Sequence, residues 1–190
     1  MKHRGVKQYF CDLTLDPNTA HRELKLSDNN KKVTRVTEEQ LYPHHQDRFD
    51  DWPQLLCDTG LTGRCYWEVQ WSGWVYISVS YRGIRRKGDS DDSLFGGNDQ
   101  SWSLDCSGGS FSVRHNNKHI SLHQSLSSSC GTVAVFVDCP AGSLSFYTVS
   151  SERLILLHTF NTTFTHSLVP GFSLCTYGSS VSLCAPTDSL

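Results

Sequence analysis

The chain has 190 residues, 37% of them hydrophobic, which suits one sizeable core and is short for two. Its 17 basic and 19 acidic residues leave a formal charge of -2, so nothing draws it generally to nucleic acid or an anionic membrane. No stretch approaches the roughly 18 apolar residues of a spanning helix, and the opening MKHRGVKQYF lacks the apolar centre of a secretory signal.

In chain order, residues 1–8 are basic and polar without a strand pattern and read as the tail of a linker. Leu13-Thr14-Leu15 is a short strand ending at Asp16-Pro17-Asn18, where proline fixes its own φ and the Asp and Asn side chains bond back to nearby amides. Glu23 to Ser27 and Lys32 to Thr37 are strands around Asp28-Asn29-Asn30-Lys31, since Asn tolerates the positive φ of a tight hairpin. Glu38 to Cys57 holds two prolines and several charges among aromatic residues, which describes an ordered surface loop.

Gly63 to Gly83 carries the strongest pattern. Trp67, Val69 and Trp71 share one face of a first run, and Val75, Ile77, Val79 and Tyr81 share one face of a second, with Ser78 and Ser80 opposite. With Ser72-Gly73 between them, the two runs read as neighbouring antiparallel strands of the core. Residues 84–100 follow as a long solvated loop with one apolar patch, Leu94 and Phe95. Ser101 to Leu104 and Ser110 to His115 are strands, Asn116-Asn117 a turn, and Ser121 to Ser129 a polar connection. Val133, Val135 and Val137 face Leu144, Phe146 and Thr148 across the turn at Asp138 to Gly142; Leu154 to Phe160, Leu168 to Leu174 and Ser180 to Cys184 supply the last strands. Short strands roughly every eight to twelve residues, with no helical stripe, predict an all-β protein, an antiparallel sandwich of two sheets with little helix.

Eight cysteines are scattered without a C-x-x-C pair or zinc-finger spacing. They predict reduced, mostly buried thiols in a cytoplasmic protein rather than a disulfide framework. The Asn161-Thr162-Thr163 sequon is expected to stay unused. His44-His45 with Asp47 diverge on an extended chain and have no third ligand nearby, so neither metal nor catalysis is expected there. Gly96-Gly97 and Gly108-Gly109 precede no helix whose amides would hold a phosphate, and no Gly-x-Ser-x-Gly turn exists. The chain is therefore expected to be no enzyme and to hold no cofactor. Trp67, Trp71 and Trp102 lie within strands and are core, each indole N–H needing a partner, and Trp74 is structural. Trp52, in a charged loop, is either a ligand contact or a satellite core.

Leu13 to Ala20 followed by Leu24-Lys25-Leu26-Ser27, then Arg48-Phe49-Asp50, Tyr66-Trp67-Glu68-Val69, Ser101-Trp102-Ser103-Leu104 and Val137-Asp138 through Gly142 to Tyr147 resemble the B30.2, or PRY-SPRY, domain. The likeness is nearest to the C-terminal domains of fish-type tripartite-motif proteins and NOD-like receptors, with the stonefish-toxin type also similar. It implies a bent, concanavalin-like jelly roll over residues 9–185, with PRY at about 9–58, SPRY at about 60–185 and a tail at 186–190. It also implies a protein- or peptide-recognition module of a larger innate-immune or ubiquitin-pathway protein, cytoplasmic and monomeric as an isolated domain, binding neither nucleic acid nor membrane. The alternative is a carbohydrate-binding or pore-toxin-associated sandwich. Ligand contacts carried over from the family fall on Phe49, Asp50 and Trp52 in the PRY half, on Asp105 and Ser107 after the Ser-Trp strand with Phe111 substituting for an absent aromatic, and on Phe172.

Overall fold

The computed structural model describes residues 4–125 and 129–185. Among these, thirteen strands form the expected two-sheet antiparallel sandwich. The seven-stranded sheet runs, in spatial order, β1 (Leu24–Ser27), β2 (Lys32–Arg35), β13 (Ser180–Cys184), β4 (Arg64–Ser72), β9 (Cys130–Asp138), β10 (Ser143–Ser150) and β11 (Arg153–Asn161). The six-stranded sheet runs β3 (Gln54–Leu56), β12 (Leu168–Leu174), β5 (Val75–Tyr81), β6 (Ser101–Ser107), β7 (Ser110–His115) and β8 (Lys118–Ser125). The β1–β2 turn holds Asp28, Asn29 and Asn30 at φ 54, 53 and 62°, and Asn116 and Asn117 turn β7 into β8 in the same left-handed region, as their residue types predict.

The core lies between the sheets, where Trp67, Val69 and Trp71 of β4 meet Val75, Ile77 and Val79 of β5 and Trp102 and Leu104 of β6. The two strong runs, read as neighbours, are not paired: β4 and β5 belong to opposite sheets. Both have one apolar face, and two such faces bury more by stacking across a core than by lying side by side. Gly73, at φ 88°, makes the crossing, and a Cβ there would stand 2.5 Å from Ser179 Oγ. The indole N–H groups of Trp67 and Trp71 find no acceptor among the described residues, contrary to expectation.

Other expectations need correction. Leu13-Thr14-Leu15 shrinks to a single bridge between Leu15 and Cys57. The loop expected from Glu38 to Cys57 ends in β3, and the polar connection from Ser121 begins inside β8; residues 126–128 lie outside the described ones. The residues before Tyr9 include one helical turn, α1 (Arg4–Lys7). Two cysteines expected to be thiols, Cys11 and Cys65, form a disulfide across 54 residues. Backbone bonds from Cys11 N to Tyr66 O and from Tyr66 N to Tyr9 O bring them together, a pairing no local spacing reveals. Cys57 and Cys106 are buried, and burial pushes both thiols well above their ordinary range.

Residues 84–100, expected as solvated, form a strap packed against the outer face of the six-stranded sheet. Ser93 to Asn98 are buried, and so are the serines beneath them, Ser78, Ser80, Ser101, Ser103 and Ser173. The fit is polar as well as steric. Gln54 donates to Ser93 O at 2.7 Å while its amide oxygen accepts from Phe95 N–H at 2.9 Å and from the Ser173 hydroxyl at 3.0 Å. Phe95 lies over Gly171, where an added Cβ would be 2.7 Å from its ring. Gly171→Ala is therefore expected to cost about 1–3 kcal/mol through overpacking and to speed hydrogen exchange in the strap, read by denaturant unfolding and amide exchange.

Candidate functional site

Strand pairing sorts the outer face of the six-stranded sheet into lateral rows. Gly171, Ser78, Ser103, Arg114 and His119 form one row, and Ser173, Tyr76, Asp105, Ser112 and Ser121 the next. The strap covers the first row at Gly171, Ser78 and Ser103; in the second, Tyr76, Asp105 and Ser112 are only half-buried. Trp74, where β4 crosses to β5, closes the open end of this face. The residue is 40% exposed, and its indole N–H donates to Asp105 Oδ1 at 2.9 Å.

Asp105 is the electrostatic centre of this face. Burial raises its carboxyl above the ordinary range, against hydrogen bonds from Trp74 and Ser107 and the charges of His119 and Arg114. Because its folded-state pKa lies above the unfolded one, ionisation weakens the fold as pH rises through that window. A carboxylate kept half-desolvated at such a cost is characteristic of a binding site. The Tyr76 phenol is pushed up by burial, then by Cys175 and Asp105. Cys175 is pushed up to about 12 by burial. Arg114 reaches away toward Asp91 Oδ1 at 3.7 Å and donates to Asn117 Oδ1.

Of the residues carried over from the family resemblance, Asp105 and Ser107 stand on this face. Phe49, Phe111 and Phe172 do not: all three are buried in the core and offer a ligand no surface, which corrects the expectation that they are ligand contacts. Phe111 pairs with Cys106 and packs edge-on against Trp71, so strand alternation points it inward. Phe172 lies opposite Ile77 on the inner face. Phe49 holds the strap from below, edge-on to Phe95 at 5.5 Å and capped by the Arg86 guanidinium at 5.3 Å.

Asp50 and Trp52 flank the start of the strap instead. Trp52, half-exposed, donates its indole N–H to Ser90 O at 2.9 Å. Asp50 pairs with Lys87 at 3.1 Å and Arg22 at 3.3 Å. Burial opposes its ionisation, but Lys87 and then Arg22 hold its carboxyl below the ordinary 3.8. Asp50→Ala is expected to cost up to about 1 kcal/mol near neutral pH, as for exposed ion pairs. A lowered folded pKa gives stability that is present above the unfolded pKa and lost as pH falls through the folded one, so the midpoints of variant and parent should converge in acid.

Sequence reasoning missed Trp74, Tyr76 and Arg114 as surface groups. The signal was present for Tyr76, which alternates with the core-facing residues of β5.

Residues 13–61 match the model of the SPRY-associated domain, PRY, and residues 64–188 that of the SPRY domain. The chain belongs to the B30.2, or PRY-SPRY, family. It is 42% identical over 171 residues to Stonustoxin subunit beta of Synanceia horrida, covering 89% of this chain and 24% of that one. It is 38% identical over 170 residues to Tripartite motif-containing protein 16 of Mus musculus, covering 88% of this chain and 30% of that one. It thus spans less than a third of these relatives. Among solved structures, the stonustoxin structure overlays with a TM-score of 0.85 at 38% identity, over 95% of this chain and 28% of that one. The TRIM65 PSpry domain overlays with a TM-score of 0.85 at 28% identity, over 96% of this PRY-SPRY chain and 94% of that one. PRY-SPRY domains typically mediate protein interactions, and the likeness is to binding modules rather than catalytic ones.

Proposed function

We propose that this PRY-SPRY domain is the protein- or peptide-recognition module of a larger cytoplasmic protein of an innate-immune or ubiquitin pathway, gripping its ligand on the Trp74, Tyr76 and Asp105 face. The observation that carries this reading is the exposed Trp74, a turn residue whose indole N–H is fixed to a half-buried carboxylate on β6. Trp is enriched at binding hot spots, and an anchor already held in place loses little order on binding. Similarity to Tripartite motif-containing protein 16 supports the pathway. Asp50 and Trp52 serve as a second contact area at the strap, weaker because the Asp50 charge is already paired. Peptides selected from a display library on the parent domain test the reading. They are expected to lose affinity on Trp74→Ala, and unchanged binding would overturn it.

The 42% identity to a stonefish toxin subunit favours a second reading, a pore-toxin-associated or carbohydrate-binding sandwich. Leakage of sterol-containing vesicles, or a glycan-array signal competed by free sugar, would put that reading first.

A further inference from the structure

We propose that the ligand of this face is a protein segment that sets an arginine or lysine side chain on Asp105, its alkyl stem lying along the Trp74 ring. The inference rests on the binding reading above and names the chemistry that the same face selects.

Asp105 differs from the paired acids of the domain in having no cation beside it while it is half-buried on an open face. Asp12, Glu23 and Asp138 each have a Lys or Arg partner within 2.7–3.2 Å, and Asp50 has two at 3.1 and 3.3 Å. Among the described residues no cation lies within ion-pair distance, 4.0 Å, of Asp105. The positively charged neighbour on this face, Arg114, is engaged by Asp91 and Asn117.

A carboxylate offers about four lone-pair sites, and Trp74 uses one of them. This hydrogen bond fixes its orientation and leaves acceptor capacity for a donor from outside. Since the indole N–H is spent on Asp105, the exposed part of the Trp74 ring presents an apolar, quadrupolar face. That surface suits the stem of a long basic side chain and the cation at its tip. An acidic ligand would set a second negative charge beside Asp105. An apolar one would complete the desolvation of Asp105 without offering it a partner. Charge complementarity therefore selects a basic segment.

Three randomised peptide libraries, with the central position fixed as Arg, Glu or Leu, test this against the parent domain. The Trp74 indole N–H resonance, assigned with Trp74→Phe, reports where binders sit. The Arg library is expected to be enriched, its binders to shift the Trp74 resonance, and Asp105→Asn to weaken them at least about tenfold while Asp12→Asn, which removes a carboxylate paired with Lys31 away from this face, leaves them unchanged. Asp105→Lys should transfer enrichment to the Glu library, with unfolding midpoints confirming that each variant folds. Glu or Leu binders that shift Trp74 and ignore Asp105→Asn would overturn the basic-ligand inference and leave the site standing. Binders that never shift Trp74, or none from any library, would overturn the site reading and this inference with it.

Discussion

Arg48→Ala is expected to lower the unfolding free energy by about 2–4 kcal/mol, the cost of a buried carbonyl left without its donor together with the cavity of a lost side chain. Arg48 is 1% exposed, yet no carboxylate pairs with it among the described residues. Its guanidinium donates instead to backbone carbonyls, from Nη1 to Pro17 O at 2.9 Å and Ala20 O at 2.7 Å, and from Nε and Nη2 to Pro43 O at 3.2 and 2.9 Å. It also lies over the Tyr42 ring at 4.9 Å. One side chain thus satisfies carbonyls from two separate loops that lack a strand ladder of their own. Truncation would leave the Ala20 carbonyl buried without its donor and a cavity beside it, while those of the exposed Pro17 and Pro43 turn to water. Arg48→Lys should recover only part of the loss, since an ammonium cannot reproduce the planar fork. Denaturant unfolding measures both, and an alanine variant within about 1 kcal/mol of the parent would show that water replaces the guanidinium freely.

Trp74→Ala is expected to weaken a selected protein ligand by roughly 30-fold or more, the effect of losing a hot-spot residue worth at least about 2 kcal/mol. The same change should move the unfolding midpoint little, because the residue is 40% exposed and its backbone stays fixed by Trp74 N–H to Ser179 Oγ at 3.1 Å and by Cys175 N–H to Trp74 O at 2.9 Å. Removing the indole also takes a donor from Asp105, whose ionised form burial already disfavours. The affinity loss should therefore exceed what the lost contact area alone predicts. Calorimetric titration beside a thermal scan separates the two effects: equal losses in both would make Trp74 a structural residue, as its place at a turn suggests.

How far the site was legible follows from what alternation encodes. Asp105 and Ser107, carried over from the family resemblance, lie on the outer face because β6 continues past Leu104 and keeps the period of two. Phe111 and Phe172 obey it as well, and it turns them into the core. The carry-over from the family resemblance named them as ligand contacts without regard to that phase. Trp52 was left open between ligand and satellite core; in the fold its indole N–H holds Ser90 of the strap while the ring stays half-exposed.

The sequence by itself determined the class of fold, most strands, the Asn-built turns and the family, because these depend on local backbone preference and on which face of each strand is apolar. Only the tertiary structure decided that β4 and β5 face each other across the core, that Cys11 meets Cys65, that Ser93 to Asn98 of the strap are buried and that, among the described residues, no cation comes within ion-pair distance of Asp105. Periodicity records that a side chain will be covered, whereas the identity of what covers it is set by contacts between residues far apart in the chain. A serine-rich strand face reads as solvated until Gln54 and its neighbours are seen to satisfy the backbone of the strap lying on it.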